Sequence, residues 1–448
     1  MKSRFTSVWL LCALHVSSAW AWGNHTLGAY RALDAMPEVA TAAPVQAEPL
    51  EAFLKAQEHA LQALLASQEV WAAANLEGYP ARPKALEFSA NPERSDAQRR
   101  LAFTHALRIA PNSKFALYVQ PDPRNRAYSG APSLPHSAVN TLPESSNATQ
   151  RFIALKAGDW VTPLAVLASA SDEPDYGLDI NLWEDSPSEW GKRYGFGKLP
   201  FGNPSLSYST QAPFHMGFMH ESKVLYMAAP FIKRTFPQLR TYQYATMAAM
   251  AFRTGHPYWG WRFTGLALHY LQDLTQPYHA SLAPGHSVVK LLAVNSMAMI
   301  GVESFKNDMI VLLSNRHLAL EKYQTELLHD AAIKQQDTGL TKALRDSAQD
   351  AGYPAWHEHY LRDVVAAEAA AGGSRLVQTL LATLPAKYVS DPSFDFGVHE
   401  DRITMVKELA STDTSKLTQL DQTLAELLGH FGAHSRKAVL GILKAKGQ

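Results

Sequence analysis

Residues 266–280 read LALHYLQDLTQPYHA, and they decide what kind of protein this is. They close a longer helical run, GWRFTGLALHYLQDL (260–274). Residues four apart in a helix share a face, so His269 and Asp273 project side by side. Pro277 lacks an amide hydrogen and cannot continue the helix; the chain bends there, and His279 follows on the bend. Two imidazoles and a carboxylate converging at a helix end are ligand types that zinc prefers.

Outward from this stretch the chain reads as helix almost throughout. Apolar residues recur at three- and four-residue spacing over 47–75, 96–109, 221–232, 238–252, 261–274, 287–313, 316–332, 357–383 and 415–444. Residues 114–120 form the best strand candidate. Residues 121–150 (rich in Pro, Ser and Asn) and 184–213 (Gly, Pro, Ser) read as loops. No fixed-period repeat and no distinct linker divides the chain. The expectation is an all-α fold: a single multi-helical domain over 22–448 with large insertions.

Lysine and arginine (41) balance aspartate and glutamate (41), so bulk charge points neither to nucleic acid nor to an anionic surface. The N-terminus carries Lys2 and Arg4, a short apolar run at 8–14, and Ala19-Trp20-Ala21, the pattern of a cleaved secretory signal over 1–21. A secreted or periplasmic protein is expected, with Trp22 as its first residue. The single cysteine, Cys12, leaves with that signal, so no thiol remains for a disulfide or a metal.

The string at 269–279, H-Y-x-x-D-x-x-x-P-x-H, resembles the central motif of the zinc-dependent bacterial phospholipases C, which share a superfamily with the single-strand-specific zinc nucleases. Trp22-Gly23-Asn24-His25 resembles their mature N-terminus, where the terminal amine and carbonyl of Trp, with a nearby His, bind one zinc. The resemblance implies a trinuclear zinc site, three Zn2+ per chain. His269 and Asp273 would serve a close pair, with Asp273 bridging, and His279 would serve the remaining ion. His317 and Glu321 supply the family's downstream H-x-x-x-E, preferred over His359 and Asp363; His286 has Lys290 at the needed position and fails. An intervening Asp and His are matched by Asp175, with Asp172 and Asp179 as alternatives, and by His215, with His220 as competitor. The implied ligand set is Trp22, His25, Asp175, His215, His269, Asp273, His279, His317 and Glu321. The resemblance gives Asp175 the further role of orienting or deprotonating the attacking water.

Such a site suits phosphate ester hydrolysis, because zinc lowers the pKa of a water it binds to roughly 7 and neutralises charge growing on phosphorus. The resemblance implies a phospholipase C that releases diacylglycerol and a phosphorylated headgroup. It would be a monomer meeting a phospholipid surface transiently, with no stable nucleic acid partner. The alternative is a zinc-dependent single-strand nuclease. His-Tyr opening the motif and Glu closing the last site favour the phospholipase; the short Trp-to-His spacing favours the nuclease. Gly285-His286-Ser287-Val288-Val289 lacks the second glycine of a nucleophile elbow, and no H-E-x-x-H or phosphate-cradling glycine loop is present. The apolar insertion at 280–316 is expected as a packed helix, with contact with lipid as the alternative. Tyr176, Tyr270 and Trp261 are candidates for lining a substrate pocket.

Overall fold

Asn24 opens α1 (His25–Leu33), its side chain accepting from the Leu27 amide at 2.8 Å. The structure, a computed structural model, describes residues 22–125, 128, 130–144, 149–203 and 206–447; the signal proposed for 1–21 lies outside them. After α1 come α2 (Glu58–Asn75), α3 (Asp96–Leu107) and α4 (Pro163–Ala170). Next are α5 (Pro237–Arg253), α6 (Pro257–Asp273) and the single turn α7 (Pro277–Ala280). The chain ends with α8 (Val288–Met299), α9 (Ser304–Ile333), α10 (Ala367–Thr383) and α11 (Thr414–Ala445). Four of these, α4 to α7, start on proline, whose fixed φ suits the first helical turn and whose missing donor is not needed there.

With 61% helix and 2% strand the protein is all-α. Strand is confined, among the described residues, to two antiparallel ladders of two residues each. Val45–Gln46 pairs with Trp160–Val161, and Tyr118–Val119 pairs with Ile153–Ala154. The strand expected over 114–120 therefore shrinks to its last part, because Phe115 adopts a positive φ of 44° that breaks extension. The helix expected over 47–75 divides at Gln57. That over 287–313 breaks after Met299, at Gly301 with φ 88°, and its second half runs on into the helix expected over 316–332.

Helix α6 is the axis of the molecule. Every residue from Tyr258 to Asp273 is buried, so it has no solvent face, as befits a helix enclosed by others. It packs most extensively on α5 and then on α4, with α11 against it as well. Gly265 makes the α4 crossing possible: a Cβ there would lie 2.3 Å from the Leu167 carbonyl oxygen. Helix α4 feeds a 3-10 turn, Glu173–Tyr176, which is pinned to α6 by a buried ion pair. Arg262 Nε donates to Glu173 Oε2 at 3.1 Å, and both side chains are almost wholly enclosed. Asp175 sits on that turn.

Cutting one partner from a buried ion pair strands the other charge in a low-dielectric interior, at a cost of about 3–5 kcal/mol. Arg262→Met is expected to destabilise the metal-free protein by that amount, read as a lowered denaturation midpoint. A loss below about 1 kcal/mol would mean that the turn carrying Asp175 is held by other contacts.

Candidate metal centre

The helix end at 269–279 collects side chains from four parts of the chain. Asp273 is the last residue of α6 and His269 lies one turn before it; both are fully buried. His215 arrives on the short helix Ala212–His215, Asp175 on the turn after α4, and His25 on α1.

Four donor atoms then face one another. His215 Nδ1 lies 3.0 Å from His269 Nε2 and 3.0 Å from Asp273 Oδ2, while His269 Nε2 is 3.4 Å from that oxygen. Asp175 Oδ1 is 3.7 Å from His215 Nδ1 and 3.6 Å from His269 Nε2. A tetrahedral zinc with bonds near 2.0–2.1 Å separates its ligand atoms by about 3.3 Å, so these separations scatter around the value a zinc tetrahedron requires. The second oxygen of Asp273, Oδ1, turns the other way and lies 3.2 Å from His25 Nε2. One carboxylate thus presents an oxygen to each of two donor groups.

A second cluster joins His279 on α7 to His317 and Glu321 on α9. His317 Nε2 is 2.9 Å from His279 Nε2 and 2.6 Å from Glu321 Oε1. The Trp22 nitrogen is 3.1 Å from the same Glu321 oxygen, and its indole donates to the Gln272 carbonyl at 3.0 Å. Both clusters consist of buried His, Asp and Glu able to hold metal ions.

The hydrogen bonds behind these rings set their tautomers. His25 Nδ1 meets Gln272 Oε1 at 2.9 Å, His269 Nδ1 meets the Ser171 carbonyl at 2.7 Å, and His279 Nδ1 meets the His215 carbonyl at 2.7 Å. An acceptor at Nδ1 draws the proton there and leaves the Nε2 lone pair free to ligate. The Gln272 amide nitrogen donates to Ser435 on α11 at 3.0 Å, leaving its oxygen to face His25. His25 Nε2, His215 Nε2, Asp175 Oδ2, Asp273 Oδ1 and Glu321 Oε2 are buried without a hydrogen-bond partner among the described residues. Orphaned donors and acceptors are rare in folded proteins, and their concentration at one spot fits a site for cations.

Electrostatics agree. Burial disfavours a charged His25, yet the nearby carboxylates of Asp273, Asp175 and Asp172 override it and push the ring's pKa up to about 9. His215, buried likewise, is pushed up to about 10 by the neighbouring carboxylates of Asp179, Asp273 and Asp175, which outweigh its burial. Burial opposes the charge of Asp273, but the imidazoles of His269, His215 and His25 hold it well below the carboxylate range. Burial lifts Asp175 well above that range. Burial and the charges of His25 and His215 hold His269 neutral, so its lone pair stays available, and carboxylates that draw protons onto two rings will also draw a divalent cation.

Among the alternatives, the structure brings Asp175 to the donor atoms and gives Asp172 and Asp179 other partners. Asp172 accepts from the His25 amide at 3.0 Å and from the Tyr176 hydroxyl at 2.9 Å. Asp179 accepts from Arg240 Nη2 at 2.7 Å and from the Tyr270 hydroxyl at 2.6 Å, with His215 Nε2 at 3.6 Å. His220 is bonded to the Arg362 carbonyl at 2.7 Å, away from both clusters. His359 bonds Gln238 and stacks on Trp71, so it and Asp363 also lie apart. Tyr176 and Tyr270 orient carboxylates rather than line a pocket, and Trp261 packs against Phe252. Sequence reading missed Gln272 and Gln276, the latter donating to Glu321 at 3.1 Å. The signal was there: two amides four residues apart beside the motif's ligands.

Asp175, His215, His279, His317 and Glu321 line the floor of a cavity of about 380 Å³. Its walls are apolar, formed by Phe201, Phe218, Leu291, Leu292, Ile310 and Leu313 among others. Comparisons with protein-family models, with curated proteins and with solved structures find no match to this chain.

Removing an outer hydrogen-bond partner of a ligand typically weakens metal affinity by about 10–100-fold. Gln272→Ala is expected to weaken zinc binding by that factor while Asp273→Asn removes at least one bound equivalent. Competition with a chromophoric chelator and elemental analysis measure the two. Unchanged zinc content in Asp273→Asn would exclude this carboxylate from the site.

Proposed function

We propose that this chain is a secreted zinc-dependent phospholipase C, cleaving the glycerol-side phosphodiester of a phosphatidylcholine-type lipid. The observation that carries the reading is the buried convergence of Asp175, His215, His269 and Asp273 donor atoms, 3.0–3.7 Å apart where they meet, with Asp175 and His215 opening onto an apolar cavity. The resemblance of the 269–279 motif to the zinc phospholipases stands beside it. Three zinc ions are proposed: one held by His25 and Asp273 with the freed Trp22 amine, which in the uncleaved chain faces Glu321 at 3.1 Å, one by Asp175, His215, His269 and Asp273, and one by His279, His317 and Glu321. The Trp22 contribution requires cleavage after Ala21 to free its amine.

Bound zinc would supply Lewis acidity toward a phosphoryl oxygen and ease the ionisation of water near neutral pH. The chain's own groups do the rest. Asp175 has one oxygen facing the imidazoles and the other free of partners at the cavity floor, so it can orient water and take its proton. Oxygen then bonds to phosphorus as the bond to glycerol breaks, and the proton passes to the departing alcohol, giving diacylglycerol and the phosphorylated headgroup. The apolar walls exclude water and accept the lipid's glycerol end.

The cavity argues against the nuclease alternative. Single-strand binding calls for a basic groove with aromatic platforms, whereas Lys306 is the one lysine or arginine lining this cavity among the described residues. Protein processed to begin at Trp22 and loaded with zinc is expected to release phosphocholine from phosphatidylcholine vesicles and to leave single-stranded DNA intact. Asp175→Asn is expected to lower turnover by about 10²–10⁴-fold, the usual span for losing a general base. Release of nucleotides without phosphocholine would overturn the phospholipase reading. Retaining a residue before Trp22 is expected to reduce bound zinc and activity together; full activity in such protein would remove Trp22 from the ligand set.

A further inference from the structure

The apolar insertion does not pack as the sequence leads one to expect. Helix α8 forms, but not one of its residues is buried, and the turn into α9 is exposed throughout from Met299 to Asp308. Met299 is 80% exposed, Ile300 73% and Phe305 53%, with Val302 also open. Met227 (75%) and Phe231 stand exposed on the neighbouring segment, against which α8 rests. Aliphatic and aromatic side chains collected this way on a soluble surface mark a contact site. Here the inner face of the α8–α9 hairpin, through Leu291, Leu292, Ile310 and Leu313, is itself the wall of the cavity that ends on the metal-binding groups.

We propose that the α8–α9 turn, with Met227 and Phe231 beside it, is a lipid-docking rim that dips into the surface of a phospholipid bilayer and opens the cavity toward it. The occupant follows from the geometry. A protein partner or second copy seated on this rim would cover the mouth of the cavity, whereas a lipid layer would feed it. Lys306 is exposed beside the turn, with Glu303 and Asp308, and Lys223 is exposed one helical turn from Met227; lysines there can snorkel to headgroup phosphates while their stems lie on apolar surface. No helix among the described residues is long and apolar enough to cross a membrane, so the contact is with one face of the bilayer. The proposal deepens the phospholipase reading and rests on it for the direction of substrate entry.

Its test combines Ile300→Ser, Val302→Ser and Phe305→Ser in the full processed chain; all three residues are exposed, so folding is spared. Metal-free protein is sedimented with phosphatidylcholine vesicles, and zinc-loaded protein is assayed on those vesicles and on a water-soluble phosphocholine ester. The expected result is a loss of vesicle binding and vesicle hydrolysis of about tenfold or more, with hydrolysis of the soluble ester unchanged. Equal vesicle binding by parent and variant would overturn the rim. So would a parent dimer, seen by sedimentation velocity, that the substitutions dissociate. Rim-dependent vesicle binding without hydrolysis of either ester would keep the rim and defeat the phospholipase assignment instead.

Discussion

Asp273 is a carboxylate, fully enclosed, at the C-terminal end of a helix. Each of these facts is unfavourable alone. Burial removes hydration worth several kcal/mol, and the helix end carries the negative pole of the macrodipole, roughly half a charge. A buried anion there is tolerable only if positive charge comes to it. The fold brings His25 to one oxygen and His215 with His269 to the other, and draws protons strongly onto His25 and His215. A divalent ion answers the same need better than a proton, because it binds several donors at once and carries twice the charge. A cation bound by these side chains would thus answer an electrostatic problem that the helix end creates.

That demand propagates outward in layers. Imidazoles that ligate through Nε2 need acceptors at Nδ1, and these come from the Gln272 amide and from the carbonyls of Ser171 and His215. Carbonyls can do this only where the backbone is not already satisfied by helix, which is why the ends of α4 and of the short helix Ala212–His215 point at the centre. The carboxylates that do not face the donor atoms are kept in place by distant partners: Asp179 by Arg240 on α5, Glu173 by Arg262 on α6, Asp172 by Tyr176 and Gln120. Gly265 allows α4 to lie close enough for all of this to meet.

How much of this was legible beforehand depended on whether the informative contact was local. His269, Asp273, Pro277 and His279 were readable because helical spacing and a proline break are properties of neighbouring residues. The choice among Asp172, Asp175 and Asp179 was not, since the three are spaced by three or four residues around one turn. What separates them is Gln120, Arg240 and His215, each far away in sequence. His317 over His359 is similar: both sit four before a carboxylate, and only packing puts one against His279. The insertion failed for a different reason. A run such as VVKLLAVNSMAM is apolar around the whole helix, and composition reads the same whether its neighbour is protein, lipid or water.

The two halves of the cavity also depend on each other. Polar donors at its floor gain strength from the apolar walls, since charge interactions that water would screen to about 1 kcal/mol at 4 Å become several times larger in a poorly hydrated volume. The same walls keep water from hydrating the orphaned oxygens of Asp175 and Glu321 freely. A small hydrophilic ester could reach such a floor only by crossing an apolar surface that gives it nothing in return. An amphiphile has its apolar part received by the walls and its polar part by the floor, so a cavity running from Leu291, Leu292 and Ile310 to Glu321 suits a molecule with that same polarity along its length.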